Sequence, residues 1–289
     1  CIRDRVEASH HAEGTCYVTF DGHRSADFRP WVFRTDDFGA TWTEIGATLP
    51  ADQPVYVIKE DLENPNLLFV GTEFAVYVSI DGGGNWVRMK NNMPTQPVHD
   101  LKIHPRENDL IVATHGRGIY IADIFPLQGL TEKVLAEDAH LFSIEPKVKW
   151  VSNISPNYAS YNFSGESEPL ASAIYYYLKD KPAGEVKVSI YQGNVKINEI
   201  KGTTEPGLNK VYWNWDVRKE LSEAEKKAVQ QRLERFRQMG YSPRGRGMDP
   251  NYRYSPASEG TYAVVLTVGD KKFKKRAVLL QDHWFWPNY

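Results

Sequence analysis

Short apolar runs separated by turn residues recur in phase along the first 124 residues. Val55-Tyr56-Val57-Ile58 is followed by Asn64-Pro65-Asn66 and then by Leu67-Leu68-Phe69-Val70-Gly71. Forty-three residues on, Val98-His99-Asp100-Leu101 is followed by Glu107-Asn108-Asp109 and then by Leu110-Ile111-Val112-Ala113-Thr114. Ala75-Val76-Tyr77-Val78 aligns with Gly118-Ile119-Tyr120-Ile121 in the same frame. Runs this short, rich in β-branched and aromatic residues and bounded by Asn, Pro and Gly, read as strands. Upstream, Arg5-Val6-Glu7 and Thr15–Phe20 fit at an offset of 52, the extra residues falling in Asp21–Phe28, which reads as an enlarged loop. A hairpin register that sets Val6 near Tyr17 places Cys1 near Gly22, so a Cys1–Cys16 bond is possible but not favoured. The frame predicts two four-stranded units, at about 4–48 and 54–93, and a third of three strands at about 97–124.

Within that frame one turn sequence occurs twice, 44 residues apart: Thr35-Asp36-Asp37-Phe38-Gly39-Ala40-Thr41-Trp42 and Ser79-Ile80-Asp81-Gly82-Gly83-Gly84-Asn85-Trp86. Gly39 and Gly83 are free to take positive φ. Asp37 and Asp81 can accept backbone N–H bonds within their loops. Trp42 and Trp86 open the next strand and are expected to bury apolar surface between neighbouring sheets. The spacing is that of β-propeller blades. A third blade with no such turn and no fourth strand reads as the last of a propeller whose other blades lie elsewhere.

Residues 125–170 read as a connector, with a short helix over Leu130–Glu137 and an Asn/Ser/Tyr-rich run at 152–168 packed as loop. From 171 to 289 the strand pattern returns. Its candidates are Ala173–Leu178, Val186–Tyr191, Val195–Ile200, Val211–Trp215, Thr261–Val268 and Phe273–Leu280, with hairpin signals at Gly193-Asn194 and Gly269-Asp270. The pattern is that of an immunoglobulin- or fibronectin-like β-sandwich. A helix interrupts it at about 219–240: Ser222 and Glu225 form a capping box, Gly240 stops it, and Val229, Leu233 and Phe236 make one apolar stripe, expected to be packed. Tyr241–Pro256, with Arg244-Gly245-Arg246-Gly247, reads as an inserted loop. The fold class is therefore all-β, a partial propeller followed by a sandwich with an inserted helix.

The paired turns carry the Ser/Thr-x-Asp-x-Gly-x-Thr/Asn-Trp pattern of the Asp-box, or BNR repeat. Together with Asn91-Asn92-Met93-Pro94, Val98-His99-Asp100-Leu101 and Ala113-Thr114-His115-Gly116-Arg117-Gly118-Ile119-Tyr120, they resemble the C-terminal blades of large secreted bacterial proteins of the sortilin-like, BNR-repeat glycosyl hydrolase type. Gly184–Asp216 with Glu259-Gly260-Thr261-Tyr262 resembles the immunoglobulin-like module that closes many of them. The resemblance implies a secreted, periplasmic or cell-surface protein with Asp-boxes at hairpin tips, away from the active-site face. It also implies a propeller like those of sialidases and xyloglucanases. Function does not follow from such a fold by itself.

Net charge is −2, which gives no electrostatic case for nucleic acid. No stretch approaches the roughly 20 apolar residues a membrane helix needs. A first residue Cys1 rather than Met reads as a processed or partial product; it also fits a lipoprotein anchor, although strand-like sequence begins almost at once. Two cysteines are too few for a disulfide scaffold.

Candidate chemistry is sparse. Thr35, Asp37, Gly39, Trp42, Ser79, Asp81, Gly83 and Trp86 are read as structural. His99, Asp100, His104 and His115 match no tight metal-ligand spacing, so neither metal nor cofactor is expected. Glu73, His115 and Arg117 are the candidates for contact with a ligand in the propeller channel, and Asp123 is a further polar residue at a strand end. A sialidase would need several arginines and a tyrosine–glutamate pair on one face, and a xyloglucanase paired carboxylates across a cleft; neither set can be assembled from the sequence. Trp284, Phe285, Trp286 and Tyr289 form an aromatic tail that could dock on the protein itself, on a partner or on carbohydrate. The expected function is that of an interaction or scaffold protein binding a protein or polysaccharide, with a polypeptide supplying the other blades. The alternative is a fragment of a glycoside hydrolase.

Overall fold

The computed structural model describes residues 2–90, 92–150, 169–240 and 249–283. Cys1, Asn91, the run 152–168, Arg244–Gly247 and the aromatic tail from Trp284 lie outside them. The chain divides into two compact units, Cys1–Leu135 and Ala136–Tyr289. It is built mostly of antiparallel sheet, with few helices.

In the first unit β1 (Ile2–Ala8), β2 (Cys16–Gly22), β3 (Asp27–Thr35) and β4 (Thr43–Glu44) form a sheet in sequence order. β5 (Val55–Glu60), β6 (Leu68–Thr72), β7 (Val76–Ser79) and β8 (Val87–Arg88) form a second, and β9 (Val98–Ile103), β10 (Asp109–Thr114) and β11 (Ile119–Asp123) a third, with β10 central. The observed register sets Val6 opposite Val18 and Glu7 opposite Tyr17, one residue from the sequence expectation. The Asp21–Phe28 loop is shorter than expected, because β2 and β3 keep pairing through Gly22 and Asp27 across a bulge, with one turn of 3-10 helix at His23–Ser25.

The sheets pack face to face in chain order. Leu68, Val70, Tyr77 and Trp86 of the second meet Tyr17, Val32 and Leu49 of the first. Leu67, Phe69 and Val76 meet Val98, Leu101, Leu110 and Val112 of the third. The second sheet is thus buried on both faces, which is why β6 reads as an unbroken apolar run. Gly71 lets the third sheet approach the second: a Cβ there would lie 2.7 Å from Val98 of the third sheet and 2.7 Å from Val57 of its own. The third sheet leaves Ile119, 69% exposed, and Ile121 on its outer face. α1 (Phe125–Gln128) and α2 (Glu132–Ala136) end the unit.

The second unit contains β12 (Ala139–Leu141), β13 (Lys147–Lys149), β14 (Ser172–Leu178), β15 (Val186–Gln192), β16 (Val195–Lys201), β17 (Gly207–Trp213), β18 (Asp216–Glu220), α3 (Glu223–Gln238), β19 (Tyr252–Pro256), β20 (Gly260–Val268) and β21 (Lys271–Gln281). Part of the span read as connector therefore supplies strands: β12 pairs with β14, and β13 runs parallel to β21. A three-stranded sheet (β12-β14-β17) and a five-stranded sheet (β13-β21-β20-β15-β16) share one core. At its centre Trp213 packs edge-on to Tyr262 at 4.8 Å between ring centroids. Two buried indoles keep their N–H groups bonded, Trp213 to the Asp216 carbonyl and Trp215 to the Ser172 hydroxyl.

Two expectations change here. The loop expected at 241–256 ends in β19, which pairs with β18 as a two-stranded ribbon. α3 forms with both halves of its capping box, but none of its residues is buried. Val229, Leu233 and Phe236 are only half-buried, so the stripe that periodicity assigns to a core is largely unpacked. Arg232 lies over the Phe236 ring instead.

Candidate functional site

The two repeated turns have the same internal hydrogen bonds. Asp37 accepts from the Thr41 backbone N–H at 2.8 Å, the Thr41 hydroxyl at 2.6 Å and the Thr35 hydroxyl at 2.8 Å. Asp81 accepts from the Asn85 N–H at 2.9 Å, the Asn85 side-chain amide at 2.7 Å and the Ser79 hydroxyl at 2.7 Å. The Gly39 and Gly83 N–H groups donate back to Thr35 and Ser79. The Thr41 hydroxyl and N–H, with Thr35, hold the Asp37 carboxyl down at about 2. Burial pushes the Asp81 carboxyl up, but the bonds from Asn85 and Ser79 outweigh it and leave it below the usual range. Both oxygens of each carboxylate accept bonds from their own loop, an arrangement that suits a turn-holding role.

The tryptophans differ. Trp86 is 8% exposed and donates to the Ile45 carbonyl of the first sheet. Trp42 is 44% exposed and donates to Gly39 in its own loop. The expectation that both bury surface between sheets holds for Trp86 alone: among the described residues of the first unit no sheet packs over Trp42.

The β2–β3 and β6–β7 turns lie at the opposite end of the sheets from the β3–β4 and β7–β8 turns, because the strands alternate in direction. At that end a cleft of about 770 Å³ opens. It is lined by groups from all three sheets. Arg5, Asp21, His23 and Phe28 come from the first; Tyr56, Glu73 and Phe74 from the second; His99 and His115 from the third. A ring ladder runs across it: His23 meets Tyr56 edge-on at 6.4 Å, Tyr56 meets His99 at 4.5 Å, and His99 meets His115 at 5.1 Å. The Tyr56 hydroxyl donates to Glu73. The Arg5 guanidinium donates to Asp100 at 2.7 Å, spanning first and third sheets. His23 pairs with Asp21 through its ring and its backbone N–H. Two phenyl rings, Phe28 (51% exposed) and Phe74 (39% exposed), line the cleft.

Glu73 and His115 thus line the cleft, whereas Arg117 is not among its lining residues. His104 caps its own turn, its ring accepting from the Glu107 N–H. Among the described residues no three His, Cys, Asp or Glu side chains converge as a metal-ligand set. Sequence reasoning missed Tyr56, His23 and Phe28. The signals were there: Pro54-Val55-Tyr56 stands in frame with Pro97-Val98-His99, and the insertion at 21–28 falls at the cleft end.

No protein-family model matches the chain, and no curated protein does. Among solved structures it is similar to an extracellular domain from B. thetaiotaomicron, at 11% identity and a TM-score of 0.32, covering 96% of this chain and 31% of that one. It is also similar to an ancestral GH74 enzyme, at 10% identity and a TM-score of 0.33, covering 94% of this chain and 36% of that one. The GH74 xyloglucanase from Xanthomonas campestris matches at 10% identity and a TM-score of 0.33, over 95% of this chain and 38% of that one. The chain spans about a third of the length of these structures. No helix among the described residues is long and apolar enough to cross a membrane.

Proposed function

We propose that the first unit is three blades of a β-propeller, that the second is an immunoglobulin-like sandwich, and that the protein is an extracellular binding scaffold whose cleft holds a saccharide. The observation that carries the ligand class is the lining of the cleft. Exposed phenyl rings at Phe28 and Phe74 offer flat apolar faces for sugar rings, while Glu73, Asp21 and the imidazoles of His99 and His115 offer bonding groups for hydroxyls. The lining mixes these aromatic faces and the prolines Pro54 and Pro97 with charged and imidazole groups in about equal measure, which suits a ligand that carries both ring faces and hydroxyls. The inward-turned bonds of Asp37 and Asp81 support a structural role for both repeated turns. The exposed Ile119 and Ile121, and the edge position of β11 in its sheet among the described residues, support a further polypeptide covering the third sheet. The Asp-box resemblance supports a secreted, periplasmic or cell-surface location.

The test is calorimetric titration of the chain with a panel of neutral oligosaccharides. A ligand that binds wild type and is lost in Phe28→Ala and Phe74→Ala, at unchanged melting temperature, supports the reading; a panel with no binder sinks it.

A second reading, glycoside hydrolysis, is favoured by one contact. Tyr56 donates to Glu73 in a cleft that also holds Arg5, Arg24 and Asp21. A tyrosine beside a carboxylate base is an alternative to the usual carboxylate nucleophile. Turnover of aryl glycosides by the chain, abolished in Tyr56→Phe, would establish it, and no turnover across the common aryl glycosides would end it.

A further inference from the structure

The outer face of the five-stranded sheet in the second unit concentrates positive charge that the chain as a whole does not have. Along β21, Phe273, Ala277 and Leu279 turn to the core. Alternation therefore puts Lys272, Lys274 and Arg276 on the other face, about 7 Å apart. The register carries the pattern across the sheet. Lys272 stands opposite Thr267, Thr267 opposite Lys187, and Lys187 opposite Lys201, one row through four strands. Lys274 lies opposite Val265, which is opposite Ser189 and, across it, Glu199; Arg276 lies opposite Ala263, which is opposite Tyr191 and, across it, Lys196. Among the described residues two acids pair with these six cations: Glu185 with Lys187 at 3.0 Å and Glu199 with Lys196 at 2.8 Å. Lys201, Lys272, Lys274 and Arg276 are exposed and have no ion pair among the described residues. Like charges directly opposite one another, as Lys187 and Lys201 are, weaken a sheet, so folding alone gives no reason for this arrangement.

We infer that this face binds an anionic polysaccharide, a linear chain with a carboxylate or sulfate on successive sugars. The cations recur about 7 Å apart along β21 and continue across the strands, an array that suits an extended polymer with regularly spaced charge. A single-stranded nucleic acid would call for successive aromatic platforms, and the face offers Tyr191 alone. A bilayer would call for large apolar groups to insert among the cations, whereas half-buried Ala263 and Val265 stand between the cation rows and the exposed Leu280 lies beyond them near the end of β21. The inference is independent of the cleft in the first unit and of the ligand proposed there.

The test uses the full chain at low salt, with polygalacturonate and dextran sulfate as probes and neutral dextran, phosphatidylglycerol vesicles and single-stranded DNA as competitors. The anionic polysaccharides bind, binding weakens as salt rises, and K272E/K274E/R276E reduces affinity roughly tenfold or more. The charge-matched variant K227E/R235E/R237E stays within about twofold, since those exposed charges belong to α3 and not to the sheet face. If the first triple variant loses its melting transition, K272Q/K274Q/R276Q replaces it. The inference is overturned if neither polysaccharide binds at low salt, if both triple variants weaken binding equally, or if vesicles or DNA bind more tightly than the polysaccharides.

Discussion

The turns at 35–42 and 79–86 are nearly the same object locally and quite different objects in the fold. Hydroxyl, carboxylate, glycine and threonine or asparagine repeat their bonds, because these partners lie within four residues, and each turn adds one bond to the preceding hairpin, Phe38 N–H to the Gly14 carbonyl and Gly82 N–H to the Asn66 carbonyl. What differs is the neighbour. The second turn lies on the first sheet, so Trp86 closes over Ile45, and a Cβ on Gly83 would meet Ile45 at 2.9 Å. The first turn has no such neighbour; Trp42 folds onto its own loop, and a Cβ on Gly39 would meet only Trp42, at 3.7 Å. A local motif sets a turn, and its energetic weight comes from what packs on it.

The largest effect should separate the indoles. Trp86→Ala costs about 3–5 kcal/mol, as for a buried aromatic, and Trp42→Ala about 1 kcal/mol or less. Chemical denaturation of both variants checks this, and equal losses would break the comparison.

Next come the glycines. Both have strongly positive φ, +90° at Gly39 and +97° at Gly83. Gly39→Ala therefore costs backbone strain of about 1–2 kcal/mol. Gly83→Ala adds the contact with Ile45, which has to shift, and the paired melting temperatures should differ in that order. A Gly83→Ala/Ile45→Val double variant sharpens the point: relief of the clash should recover part of the loss.

The carboxylates should not distinguish the turns. Asp37→Ala and Asp81→Ala each remove three accepted bonds, so their melting temperatures fall together, with ligand binding in the cleft at the other end of the sheets retained. A melting temperature unchanged in both, with saccharide binding abolished, would contradict a structural role.

The smallest effect is in acid. Both carboxyls are held below their ordinary value in the folded chain. Their contribution is complete above about pH 5 and is lost as pH falls through the folded value, about 2 for Asp37. Asp37→Asn/Asp81→Asn should therefore flatten the loss of stability between about pH 5 and about pH 2.5, measured by thermal unfolding. A slope identical to wild type would place the acid sensitivity elsewhere.

The sequence by itself determined what local chemistry determines. The 43-residue strand frame, the two turns, the hairpins at Gly193-Asn194 and Gly269-Asp270, and the α3 capping box all rest on residues a few positions apart. Tertiary structure decided the rest. Periodicity marked Val229, Leu233 and Phe236 as a buried stripe, but a stripe is buried only if something covers it, and none of α3 is. Trp42 and Trp86 are interchangeable as letters and differ only in the sheet beside them. The cleft is the clearest case: the Arg5–Asp100 bond joins residues 95 apart, and Tyr56 faces His23, Glu73 and His99 only because three strand-turn ends meet at one side of the packed sheets. The basic face in the second unit needed the strand register too, since only cross-strand pairing puts Lys201 and Lys187 in line with Lys272. Spacing along a chain fixes which side of its own strand a residue takes, whereas its company on that side is fixed by the order and register of the strands that pack beside it.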